Sequence, residues 1–189
     1  MKIKILNESG YKEAMLGLSL SYNVSDFDRI EKVARKLAGK DGGHNKFLES
    51  IVVWIDITAA RYWWQLIDTY RVGVTKQSES TTHTIMKHEL TSDNFERHSN
   101  YECVPCDVVD WLNDMIRRKE FLRIKMNLPE SFLQRRIVCT NYKTLRNIIL
   151  QRWDHRLPEW QQFCMAMLIG NEGVQYPSLL PNPWEKKEK

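Results

Sequence analysis

Residues 43 to 83 constrain this chain most. Gly43-His44 and Leu48-Glu49 open the stretch, and the β-branched run Ile51 to Ile57 reads as a buried strand. Thr58 stands where it would cap a helix from Ala59 to about Tyr70. From Val72 to His83 the chain keeps neither a helical nor a strand period, and its residues are mostly Thr, Gln, Ser and His behind Arg71. A loop so dense in hydroxyls and amides is a poor core element and a suitable holder for a flat, polar, anionic ligand.

The flanking segments supply the rest of an α/β chain. Lys2 to Leu6 alternate as a strand, with a turn at Asn7 to Gly10 and a short helix over Tyr11 to Ser21. Ser25 is placed to cap a helix carrying Phe27, Ile30, Val33, Ala34 and Leu37, which ends in the glycines of 39 to 43. Asp107 would cap one long helix from Val108 to about Lys125, stopped by Leu128-Pro129. Arg135 to Thr140 reads as a strand or an extended connection. Asn141 starts a helix with Leu145, Ile148, Ile149 and Arg152, and Pro158 starts another that Gly170 closes. The segment from 173 to 189 reads as an extended, flexible tail. With no internal repeat or linker, the 189 residues are expected to form a single domain.

Composition narrows the function classes. The chain is 42% hydrophobic and 28% charged, as soluble globular proteins are. A net charge of +4 suits an anionic small ligand, and no groove-reading motif supports a nucleic-acid partner. No apolar run approaches the roughly 18 residues of a membrane span. The N-terminal residues lack a signal-peptide apolar core, so the cytoplasm is the expected compartment. Four cysteines do not make a disulfide framework. Cys103 and Cys106, with His88 and His98, leave three readings open: a zinc site, a redox pair, or plain thiols near a helix start. The Tyr62-Trp63-Trp64 stripe reads as core or subunit contact, or else as a stacking platform. His44 either touches a ligand or caps its turn.

Three segments resemble flavin-dependent thymidylate synthases. The first is Gly43 to Ser50, where that family has G-H-x-S-x-x-E-H; Glu49 matches, and Ser50 replaces the second histidine. The second is similar to the signature R-H-R-x-x-S-x-x-x-x-S-x-R. Arg71 holds the third position and, with one extra residue, Thr75 and Ser80 take the serines; Thr82 replaces the last arginine. Gln65, on the helix leading in, matches a nucleotide-touching glutamine. The third segment runs from Leu128-Pro129 through Arg135, Asn141-Tyr142-Lys143-Thr144-Leu145 and Arg152. Arg135 matches an arginine that holds the uracil nucleotide, while Lys143 and Lys125 replace family arginines, and no arginine follows Trp160 at the family's spacing.

The resemblance implies an α/β (α+β) fold, a central and mainly antiparallel sheet flanked by helices. It implies reductive one-carbon transfer from methylenetetrahydrofolate to C5 of dUMP, giving dTMP, with FAD as cofactor and NADPH as reductant, in a homotetramer. Such chemistry polarises the pyrimidine without a cysteine nucleophile, which asks for cations and hydrogen-bond donors around the ring. On this reading Arg71 and Arg135 are catalytic. Gln65, Gln77, Ser78, Ser80, Arg135 and Arg152 bind the substrate, and His44, Glu49, Ser50, Arg71 and Thr75 bind the cofactor. The replaced family residues keep two alternatives open: an enzyme using another pyrimidine nucleotide or one-carbon product, or a non-catalytic nucleotide- or flavin-binding homologue.

Overall fold

A computed structural model describes residues 1–23, 26–98, 104–169 and 173–184. Among these, a four-stranded antiparallel sheet and eight helices make a mixed α/β fold. The strands are β1 (Lys2–Ser9), β2 (Val52–Ala60), β3 (Thr75–Ser78) and β4 (Leu133–Asn141), in the spatial order β1-β2-β4-β3. The helices are α1 (Tyr11–Tyr22), α2 (Phe27–Ala38), α3 (Arg61–Ile67), α4 (Thr81–Thr84), α5 (Cys106–Arg117), α6 (Phe121–Asn127), α7 (Tyr142–Arg152) and α8 (Pro158–Leu168). Contacts divide the chain into two compact units. The first comprises Met1–Lys2, Ile57–Thr69 and Gln77–Arg136; the second comprises Ile3–Asp56, Tyr70–Lys76 and Ile137–Lys189.

The first unit packs Phe95, Leu112, Met115, Ile124 and Phe132 into one cluster. Asn113 is buried as well, donating from Nδ2 to Leu90 O (2.9 Å) and accepting from Leu90 N (2.7 Å), so both ends of its amide are hydrogen-bonded. The expected single helix from Val108 to Lys125 is two helices. Lys119 takes a left-handed φ of 60° and Glu120 N donates to Met115 O at 2.9 Å, which closes α5 before α6 begins. Asp107 lies in the first turn of α5 and Pro105 is the N-cap.

Thr58 is not a cap, because β2 continues to Ala60. The freed amides of α3 find tertiary partners instead: Arg61 N donates to Phe132 O (3.0 Å) and Tyr62 N to Glu130 O (3.2 Å). Trp63 and Trp64 are buried within the chain, so they are core rather than a subunit surface. The polar stretch from Val72 to His83 contains β3 and α4 and is not a uniform loop. β3 is a short edge strand with no buried face, which is why no period showed.

In the second unit the core includes Met15, Ile30, Leu48, Ile55, Tyr142 and Trp160, each at most 1% exposed. Asp26 caps α2, its Oδ1 accepting from Asp28 N (3.0 Å) and Arg29 N (3.4 Å); the expected cap, Ser25, lies outside the described residues, as does Gly170. β1 runs through Ser9, past the expected turn at Asn7. Gly10 then turns the chain with φ 87°, and a Cβ there would sit 2.1 Å from the Ser50 carbonyl oxygen, so only glycine fits. Asn141 caps α7 as expected, accepting from Thr144 N at 2.9 Å. Between 173 and 184, Pro177–Leu179 forms a 3-10 turn, and Val174, Leu179 and Leu180 are buried.

Candidate functional site

The Gly43 to Ser50 segment folds so that its side chains border a cavity of about 500 Å³ in the second unit. The 3-10 turn Lys46–Ser50 sends Phe47 and Leu48 into the core and leaves His44, Lys46, Glu49 and Ser50 exposed around the opening. The opposite wall is α1, where Ala14, Gly17 and Ser21 present small side chains at helical spacing. The sequence reading missed this wall, although three small residues on one face were a usable signal. His44 therefore lines a cavity. Glu49 accepts an ion-paired hydrogen bond from Lys143 Nζ, which fastens the turn to α7.

The segment 70 to 76 belongs to the same unit and runs along α7. The Thr144 hydroxyl donates to Val72 O (3.4 Å), and the Thr140 hydroxyl donates to Gly73 O (2.9 Å). Arg71 projects from this clamped segment, exposed, and among the described residues its guanidinium makes no hydrogen bond or ion pair. Thr75 is exposed at the start of β3. Arg152 is held differently. Its Nε donates to the Tyr70 hydroxyl (2.9 Å), and its guanidinium lies 5.5 Å from the Tyr70 ring and 5.0 Å from the Trp160 ring. Tyr70 in turn donates to Gln151 Oε1 at 2.9 Å.

His155 follows α7, and burial, then Arg152 and Arg156, lower its pKa. Its Nδ1 accepts from Leu157 N at 3.1 Å, which assigns the proton of the neutral ring to Nε2. Tyr142 donates to Glu8 Oε2 at 2.7 Å, and burial, then that carboxylate, push its phenol far above its usual range. Burial pushes the Cys164 thiol up to about 12 and also raises Cys139, so neither offers a thiolate at neutral pH.

The first unit holds the remaining residues expected at a site. Gln77, Ser78 and Ser80 are exposed on β3 and at the start of α4. Gln65 donates to Glu130 Oε2 at 2.9 Å, and Arg61 pairs with the same carboxylate at 3.4 Å. Strand alternation separates the two adjacent arginines of β4. Arg135 is exposed, whereas Arg136 stacks 4.5 Å from the Trp64 ring and bonds Asp68 at 3.2 Å, a structural role. Lys125 donates to the Thr81 hydroxyl beside α4. Cys106 is exposed at the start of α5, while Cys103 lies outside the described residues, so the readings of that pair are not addressed by the fold. Among the described residues no group of three His, Cys, Asp or Glu side chains could hold a metal, and no helix is long and apolar enough to cross a membrane.

No family model matches the chain, and no curated protein matches it. Solved structures do. One is flavin-dependent thymidylate synthase ThyX from Helicobacter pylori complexed with FAD and dUMP, with a TM-score of 0.78 and 16% identity over 95% of this chain and 98% of that one. A second structure of ThyX from Helicobacter pylori, also with FAD and dUMP, gives a TM-score of 0.77 and 18% identity over 96% of this chain and 100% of that one. Identity at this level speaks for the backbone and not for the chemistry: the chain has the flavin-dependent thymidylate synthase fold.

Proposed function

We propose that this protein is a flavin-dependent thymidylate synthase-like enzyme, transferring one carbon from methylenetetrahydrofolate to C5 of dUMP with FAD as cofactor and NADPH as reductant. The observation that carries the reading is the fold likeness, over nearly the whole chain, to a protein crystallised with FAD and dUMP.

The second unit fits part of a flavin nucleotide. Its cavity of about 500 Å³ has the size of a small-molecule site, and Lys46 and His44 at the opening suit phosphate groups. Ser50 and Thr75 add hydroxyl donors, and Arg71 adds a solvent-facing guanidinium. Glu49 contributes by holding Lys143 and the turn in place. Bound flavin would supply the hydride that reduces the transferred carbon. The chain's own residues bind and orient. Arg71 and Arg135 are the charges we assign to catalysis, each stabilising negative charge where it develops. In the first unit Gln65, Gln77, Ser78 and Ser80 offer hydrogen bonds to a uracil nucleotide. In the second, Arg152 is a cation whose direction Tyr70 and Trp160 fix before any ligand arrives.

We further propose one catalytic domain acting in the cytoplasm as a homotetramer. Exposed Leu16, Leu20 and Trp111 offer apolar surface for subunit contacts. Light scattering after size-exclusion chromatography tests the assembly; a clean monomer at micromolar concentration counts against it.

The Lys143–Glu49 pair favours two alternative readings. The lysine that replaces a family arginine is spent on a structural contact, which suits an enzyme for another pyrimidine nucleotide, or a homologue that binds without turnover. Purified protein incubated with dUMP, methylenetetrahydrofolate, NADPH and FAD tests both. Formation of dTMP supports the main reading. Product only when another pyrimidine nucleotide replaces dUMP selects the first alternative, and flavin and dUMP binding without any product selects the second.

A further inference from the structure

The second unit contains another cavity, of about 590 Å³, which shares no lining residue with the one around His44. Its walls are the end of α2, the end of α8 and the segment from 177 to 184. That segment is a built wall, because Leu179 and Leu180 are buried and Trp184 packs edge-on against Trp153 at 4.9 Å.

Two guanidinium groups line the cavity, Arg35 and Arg146. Arg146 is only 8% exposed. A buried cation needs a close counter-charge, yet its nearest carboxylate, Asp41, sits 3.4 Å away with a side chain 85% exposed. The other contact is Nη2 to Gly39 O at 3.0 Å. A guanidinium carries five N–H donors, and among the described residues these two contacts use two of them. Arg35 reaches Glu31 only at 3.6 Å, with more than half of its side chain exposed. The Ser178 hydroxyl also lines the cavity, and Trp184, half exposed, offers an aromatic surface at its edge.

We infer that this cavity is a second ligand site, taking a small organic anion whose flat ring lies against Trp184 and whose phosphate or carboxylate meets Arg146 and Arg35. The inference does not depend on the proposed enzymatic function. Arg146 is largely shielded from solvent, so its hydrogen bond to an incoming anion is charge-assisted. The ring contact adds the apolar part of the recognition.

Calorimetric titration with phenyl phosphate tests it, with inorganic phosphate and phenol as separate arms and phenylacetate to distinguish a carboxylate source. Phenyl phosphate or phenylacetate is expected to bind more tightly than phosphate or phenol alone. Arg35→Gln and Trp184→Ala, both at exposed side chains, should each weaken that binding by roughly fivefold or more with the fold intact by circular dichroism. Arg71→Ala should leave it unchanged. No binding of either ring-bearing anion at millimolar concentration overturns the inference. So does unchanged affinity in Arg35→Gln and Trp184→Ala, or loss of binding in Arg71→Ala.

Discussion

The Nε of Arg152 donates to the hydroxyl of Tyr70 at 2.9 Å, tying the last residue of α7 to the residue just before Arg71. Tyr70 is held again by Gln151, and the backbone two residues beyond Arg71 is held by Thr140. The chain on both sides of Arg71 is therefore fixed while its guanidinium faces solvent. A charge presented on a fixed backbone loses less entropy on meeting an anion than one on a mobile loop.

Tyr70→Phe removes the hydroxyl and keeps the ring over Arg152. One hydrogen bond accepted and one donated are lost, so the variant should be about 0.5–1.5 kcal/mol less stable. Urea denaturation reads this directly. An unchanged midpoint would mean that the ring stacking alone holds Arg152.

Arg71→Ala should leave stability close to wild type, since the guanidinium supports no other described group. Affinity for dUMP or FAD should fall by roughly 1.5–3 kcal/mol, the worth of a charge-assisted hydrogen bond. Isothermal calorimetry with each ligand measures it. Unaltered affinity for both in a folded variant would remove Arg71 from the site.

Gly73→Ala should destabilise the protein by roughly 1–3 kcal/mol, because the backbone sits in a left-handed conformation and the new carbon has no room. Its φ is 70°, and a Cβ would lie 2.6 Å from Thr144 Oγ1 and 2.8 Å from Asn141 Nδ2. Adding Thr144→Ala removes the closer clash and should recover part of the loss, leaving the strain of φ. Equal thermal midpoints for wild type and Gly73→Ala would contradict the geometry.

The elements legible in the sequence are those whose signals are local. Val53, Ile55 and Ile57 alternate into the core of β2, Asn141 caps α7, and Pro158 opens α8. The α5–α6 break was not legible, because a lysine at position 119 takes the left-handed conformation that glycine would advertise. β3 was hidden by being a four-residue edge strand. Among site residues, Arg71 is exposed and His44 lines a cavity. The pairing of Glu49 with Lys143, and the packing of Arg136 on Trp64 beside exposed Arg135, depend on which distant residue arrives opposite. No local pattern encodes that.

Stability should fall on mild acidification partly through His155. Burial and two neighbouring arginines hold its folded-state pKa below the ordinary imidazole range. The unfolded chain therefore takes up the proton first as pH falls. The contribution of this group is full above the unfolded value and is lost as pH drops through the folded one. His155→Asn keeps an acceptor for Leu157 N and removes the titration. Wild type should lose more stability than this variant between about pH 7.5 and about pH 5.5, as read by urea denaturation at each pH. Parallel losses would show that protonation of His155 does not differ between the two states.

FAD should bind, and more weakly than a chain with a histidine at position 50 would allow. Ser50 lines the cavity of about 500 Å³ with its side chain exposed, so it offers one hydroxyl where an imidazole would offer a flat ring and a ring nitrogen. Lys46 and His44, which line the same cavity, remain to meet phosphates. Ser50→His has open space at the cavity wall and keeps the backbone that Gly10 approaches. The variant should bind FAD roughly three- to tenfold more tightly, about 0.7–1.4 kcal/mol, read by quenching of flavin fluorescence with and without dUMP. Tighter binding in the variant places the flavin beside position 50. Binding that is measurable but unaltered puts the flavin elsewhere. If neither protein binds FAD under either condition, the chain has kept the fold without the cofactor, and the enzymatic reading gives way to a binding role.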